Sequence, residues 1–92
     1  MVTHKVVVAE SSGLHLRPAG KFCEVCLRFE SKILIKKGAV TVNAKSVLGV
    51  LSARVQQGDE IEIICEGAYE EEALATLVGA LQDGLGIPPV DQ

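Results

Sequence analysis

The apolar positions along the chain change period several times, and each change marks an element. Val2 to Ala9 is a valine-rich run that predicts a strand, and Ser11-Ser12-Gly13 marks a turn or loop. From Pro18 the spacing becomes helical. Ala19, Phe22, Cys23, Cys26 and Phe29 form one face, with Lys21, Glu24 and Arg28 opposite. Pro18 suits a helix's first turn, where its missing N–H would be unpaired in any case. Ser31 to Lys36 alternates around Ile33 and Ile35, Lys37-Gly38 signals a turn, and Ala39 to Val42 completes a predicted hairpin. Ser46 stands before Val47-Leu48-Gly49-Val50-Leu51 as the N-cap of a short helix. After a turn at Gln57-Gly58-Asp59, Glu60 to Cys65 reads as a strand and Gly67 ends it. Glu70-Glu71-Glu72 opens a last helix, where carboxylates suit the positive end of the dipole. Ala73, Leu74, Leu77, Val78 and Leu81 line its apolar face, and Gly84 is its stop.

The order is therefore βαββαβα. Four short strands with helices that must share one apolar face predict an α+β open-faced β-sandwich: a four-stranded antiparallel sheet covered on one face by three helices. The expected organisation is a single domain over residues 1–86, with 87–92 as a frayed tail.

Composition narrows the function classes. In 92 residues there is room for one thin core and a shallow site, not a deep two-lobed one. The only aromatics are Phe22, Phe29 and Tyr69, so the core is aliphatic and stacking platforms for single-stranded nucleic acid are missing. A net charge of −3 without a basic run argues against nucleic-acid partners. The longest apolar stretches fall short of a signal-peptide core or a membrane span, so no membrane insertion is expected. Three cysteines without framework spacing suit reduced thiols and a cytoplasmic protein. Cys23 and Cys26 spell C-x-x-C, yet both fall mid-helix on the apolar face, where buried, inert thiols are expected. Cys65 reads the same way, and His4 reads as surface decoration. With two histidines in the chain, no metal site and no cofactor are expected.

The stretch that carries chemistry is Ser12 to Gly20, which sets His15 and Arg17 where a loop becomes a helix. Unpaired N–H groups and the helix dipole make such a start a ready anion site. Arg17 adds a fixed charge with a fork that matches phosphoryl oxygens, and His15 supplies a nucleophilic ring nitrogen. Spacing alone favours the plainer reading, with His15 as a helix cap and Arg17 as a solvated charge, since lone polar residues at helix ends are common.

Gly13-Leu14-His15-Leu16-Arg17-Pro18-Ala19 resembles the active-site signature of HPr, the histidine phosphocarrier of the bacterial phosphoenolpyruvate-dependent sugar phosphotransferase system. Val42 to Val50 resembles that family's second signature, and the order of motifs matches over about residues 1–86. The resemblance implies that His15 accepts a phosphoryl group at Nδ1 from phosphorylated Enzyme I and donates it to enzyme II A domains. Arg17 would neutralise charge in transit. It also implies an apolar docking patch from Leu16, Gly20, Val47, Leu48 and Leu51, with Leu48 the residue expected to be most exposed. Val47 and Leu51, at i and i+4, could equally face the core. Lys45 to Leu51 looks like the branch in which the serine matching Ser46 is phosphorylated. A Ser46 kinase/phosphorylase and a transcriptional regulator are therefore further partners to consider. The expected protein is a monomer that carries a group between partners rather than an enzyme that releases product. The alternative is a regulatory HPr-like paralogue that acts through phosphorylation-dependent protein binding.

Four positions depart from the family pattern. Leu16 and Gly20 stand where Ala or Thr is usual, Arg54 where Gly is usual near the active centre, and Tyr69 where an Asp usually caps the last helix.

Overall fold

The computed structural model describes residues 1–8 and 13–82. The strands are β1 (Val2–Val7), β2 (Lys32–Lys37), β3 (Val40–Asn43) and β4 (Glu60–Glu66), and the helices are α1 (Leu16–Cys26), α2 (Val47–Ser52) and α3 (Glu70–Gln82). The element order is that expected. Ala9, Ser11, Ser12, Gly84 and the tail 87–92, on which the expected strand end, turn, helix stop and fraying fall, lie outside the described residues.

The sheet runs β1-β4-β2-β3 and every pairing is antiparallel. Register sets its two faces. Val6 opposes Ile61, Ile63 opposes Ile35, and Cys65 opposes Ile33, so the buried apolar residues form one continuous layer. The next residues along each strand point the other way, where Lys5, Glu62 and Lys36 form a cross-strand row of alternating charge. The three helices cover the apolar layer with Ala19, Phe22, Val50, Ala73, Leu77 and Leu81, all fully buried. This is the open-faced β-sandwich.

The helix boundaries differ from the sequence expectation for local reasons. α1 begins two residues before Pro18, which then occupies the third helical position. That is tolerated because a first-turn N–H has no intrahelical acceptor to lose. The helix ends at Cys26, its last residue, so Cys26 is not mid-helix. Phe29 keeps the period by packing half-buried on the core after the backbone has left the helix. On the outer face Glu24 pairs with Lys21 at 3.5 Å and Arg28 at 3.7 Å, exposed contacts of small energetic weight.

The entry into α3 is tied down ahead of the helix rather than capped by an Asp. Tyr69 sits in the left-handed region (φ 59), and its phenol is no substitute for a capping carboxylate; the adjacent Glu70 instead fixes the turn before the helix. One carboxylate oxygen accepts the Gly67 N–H at 3.0 Å and the other pairs with the amino terminus at 2.9 Å. The Gly67 hydrogen bond, then the amino terminus, holds the Glu70 carboxyl below its usual value.

Gly20 is not required by space: a Cβ there would meet nothing within 4 Å. Gly20→Ala is therefore expected to raise stability by about 0.5–1 kcal/mol through the unfolded chain's entropy. Chemical denaturation would read this as a higher midpoint with an unchanged slope.

Candidate functional site

His15 occupies the N-cap position of α1 with extended backbone (φ −77, ψ −173), and its side chain makes no capping hydrogen bond. Its carbonyl accepts the first intrahelical bond, from the Ala19 N–H at 2.8 Å. The first-turn amides of Leu16 and Arg17 have no intrahelical acceptor, and Pro18 has no amide N–H. No acidic residue lies in this first turn to neutralise the dipole. His15 thus holds the N-cap position without capping through its side chain, its imidazole exposed beside an unneutralised helix end, and Arg17 is exposed with no ion pair among the described residues, as the solvated-charge reading expects.

The segment leading into His15 is anchored by the loop that follows α2. Leu14 is buried, and its N–H donates to the Val55 carbonyl at 2.8 Å. On the other side of residues 9–12, the Val8 N–H bonds the Asp59 carbonyl at 2.9 Å and the Gly58 N–H bonds the Val8 carbonyl at 2.9 Å. Gly13 lies between these ties with φ +66, and a Cβ there would stand 2.5 Å from the Val55 oxygen. Only glycine fits both the conformation and the gap.

Leu14, His15, Leu51, Arg54, Val55 and Gln56 line a shallow depression of about 200 Å³. Its far wall is held by charge. Lys37 Nζ donates to the Arg54 carbonyl at 2.6 Å and pairs with Asp59 Oδ2 at 2.9 Å, and the same oxygen accepts the Gln56 N–H at 2.8 Å. The Gln56 amide, followed by the Lys37 ammonium, holds the Asp59 carboxyl below its usual value. Sequence reading missed this clasp. Its turn, Gln57-Gly58-Asp59, was legible, but the pairing with Lys37 joins residues distant in the chain.

Ser46 is the N-cap of α2, its Oγ accepting the Gly49 N–H at 3.1 Å. In α2, Val50 is buried, Val47 and Leu51 are half-buried against the core, and Leu48 is 80% exposed. Core and surface thus divide these residues, and Leu51 also borders the His15 depression. On α1, Leu16 is 70% exposed and Gly20 half-buried. The two helices pack against each other, which brings both sets to one side of the fold.

Cys23, Cys26 and Cys65 are free and buried, and burial pushes all three thiols up, with Cys23 and Cys65 adding to the effect at Cys26. His4 is exposed on β1. Among the described residues there is no group of three metal-ligating side chains and no helix long and apolar enough to cross a membrane.

The comparisons with known proteins point the same way. The family model for the PTS HPr component phosphorylation site matches residues 2–83. The HPr-like protein Crh of Bacillus subtilis is 40% identical over 83 residues, covering 90% of this chain and 98% of that protein. The phosphocarrier protein HPr of Treponema pallidum is 36% identical over 83 residues, covering 90% and 94% respectively. The crystal structure of HPr-C-His from Thermoanaerobacter tengcongensis superposes with a TM-score of 0.91 at 35% identity, covering 96% of this chain and 99% of that one. The family model and these relatives match across nearly the whole length, and the chain belongs to the HPr family of the phosphotransferase system.

Proposed function

We propose that this protein carries a phosphoryl group on His15, accepting it from phosphorylated Enzyme I and passing it to enzyme II A domains in the cytoplasm. The observation that carries the reading is the uncapped, exposed imidazole at the start of α1. Nδ1 attacks phosphorus in line as the bond to the donor breaks, and the reverse displacement delivers the group onward. Such transfer needs positioning and charge more than covalent machinery. The Leu16 and Arg17 amides face the phosphoryl oxygens, and the Arg17 guanidinium offsets their charge. No metal or cofactor takes part in these steps. Leu16, Gly20, Val47, Leu48 and Leu51 form the docking patch, small enough for partners that must exchange quickly. The test is a chase. Phosphorylated protein, separated from Enzyme I, should lose its phosphoryl group to an added enzyme II A domain faster than it hydrolyses; equal rates with and without that domain would refute the carrier role.

A regulatory reading is favoured by the similarity to Crh. Under it, a kinase modifies Ser46 and the modified protein binds a transcriptional regulator. Phosphate on Ser46 would sit at the α2 start, compatible with the helix, while placing a dianion in the docking patch. Ser46→Asp keeps a capping oxygen, so the fold should survive. Enzyme I transfer should slow by about tenfold, about 1.4 kcal/mol in the barrier. Rapid-quench phosphorylation rates would show it, and an undiminished rate would remove Ser46 from control of this step.

A further inference from the structure

Arg54 stands where the backbone asks for glycine. It follows the α2 C-cap, Ala53, with φ 52, the left-handed position that ends helices and that glycine fills at no steric cost. An arginine there is strained, and strain of this kind concentrates at functional sites. Two further observations say what the arginine is for. Arg54 lines the same depression as His15. Its carbonyl is gripped by Lys37, whose charge is met by Asp59, so the strained turn is fixed while the lysine itself is neutralised. None of the ion pairs among the described residues uses Arg17 or Arg54. A cation just past a helix C-terminus is also favourable in its own right, but that benefit does not require this residue to border His15.

We propose that Arg54, which lines the depression together with His15, is a second anion contact of the His15 site in addition to Arg17, with Lys37 as the positioning residue that holds its turn. The proposal rests on the phosphocarrier reading for its ligand, a phosphoryl group. The guanidinium would grip oxygens that the α1 amides leave free, so that phosphorylated His15 is stabilised from two sides. Its consequence is specificity: the site would favour acceptor domains able to compete with that second grip.

The intact chain, labelled with ¹⁵N, is titrated with inorganic phosphate while the His15 ring and the Leu16 and Arg17 amides are followed by NMR. Phosphate should perturb these groups in the wild type. Arg54→Gln and Arg54→Gly should each weaken phosphate binding by about fivefold. Arg54→Gly should at the same time raise the melting temperature, since it relieves the turn. Lys37→Met should weaken phosphate binding in the wild type and have no further effect in the Arg54→Gly background, a coupling that general loss of stability would not produce. Wild-type phosphate affinity in both Arg54 variants, or additive losses in the double variant, would overturn the proposal, as would phosphate shifts centred away from His15. Labelling by Enzyme I is scored separately. If the phosphate data come out as stated and Enzyme I does not label His15, the carrier reading fails and the anion contact stands.

Discussion

His15→Ala is expected to reduce phosphorylation by Enzyme I and phosphoenolpyruvate to background while leaving the fold intact. The two halves of this expectation have different causes. The substitution removes the attacking nitrogen, and no other described histidine is placed to substitute: His4 lies on β1, away from the α1 start. The fold is spared because the imidazole is exposed and makes no capping hydrogen bond, so stability should move by no more than about 0.5 kcal/mol. A cap of Ser or Asp type at the same position would have made the substitution cost structure as well as chemistry. Denaturation midpoints together with phosphorylation rates separate the two. A variant that unfolds, or one that is still labelled, would contradict the account.

Gly13→Ala should have the largest effect on the scaffold. A Cβ at φ +66 would lie 2.5 Å from the Val55 oxygen and 2.7 Å from the Gln56 Cα, both backbone atoms that cannot rotate away. Left-handed backbone and steric overlap together cost about 2–4 kcal/mol, a large part of the stability of a small domain. The strain would fall on the Leu14 N–H to Val55 carbonyl bond, which ties the His15 segment to the loop after α2. The denaturation midpoint should drop, and transfer through His15 should slow even under conditions where the protein remains folded. A midpoint equal to that of the wild type would show that the loop relaxes freely and does not position the histidine.

Much of this architecture is legible in the residues. Alternation in Lys32–Lys37 and Glu60–Glu66 sorts Ile33, Ile35, Ile61, Ile63 and Cys65 to the buried face. Ser46 announces its helix because a hydroxyl before an apolar run is a capping signal, and the bond to Gly49 is the result. The start of α1 is harder to read for the reason that makes it interesting. His15 is not a preferred capping residue type, so Pro18 marks the boundary only to within two residues, and the amides His15 leaves uncapped are those the proposed site would use. Phe29 extends the helical period by one turn that does not exist, since a loop residue can fold back onto the core. The left-handed turns at Arg54 and Tyr69 contradict local propensity and are sustained by partners remote in the chain: Lys37 for the first, and a carboxylate tied to the amino terminus for the neighbourhood of the second. Long-range ties of this kind leave no periodic trace.

The most direct test of the central claim is intact-mass measurement after incubation with Enzyme I and phosphoenolpyruvate. The account predicts that the wild-type chain gains the mass of one phosphoryl group, that the added group is lost on brief acid treatment, and that His15→Ala gains none. An unmodified wild-type chain, or a phosphoryl group that resists acid or persists in His15→Ala, would contradict it.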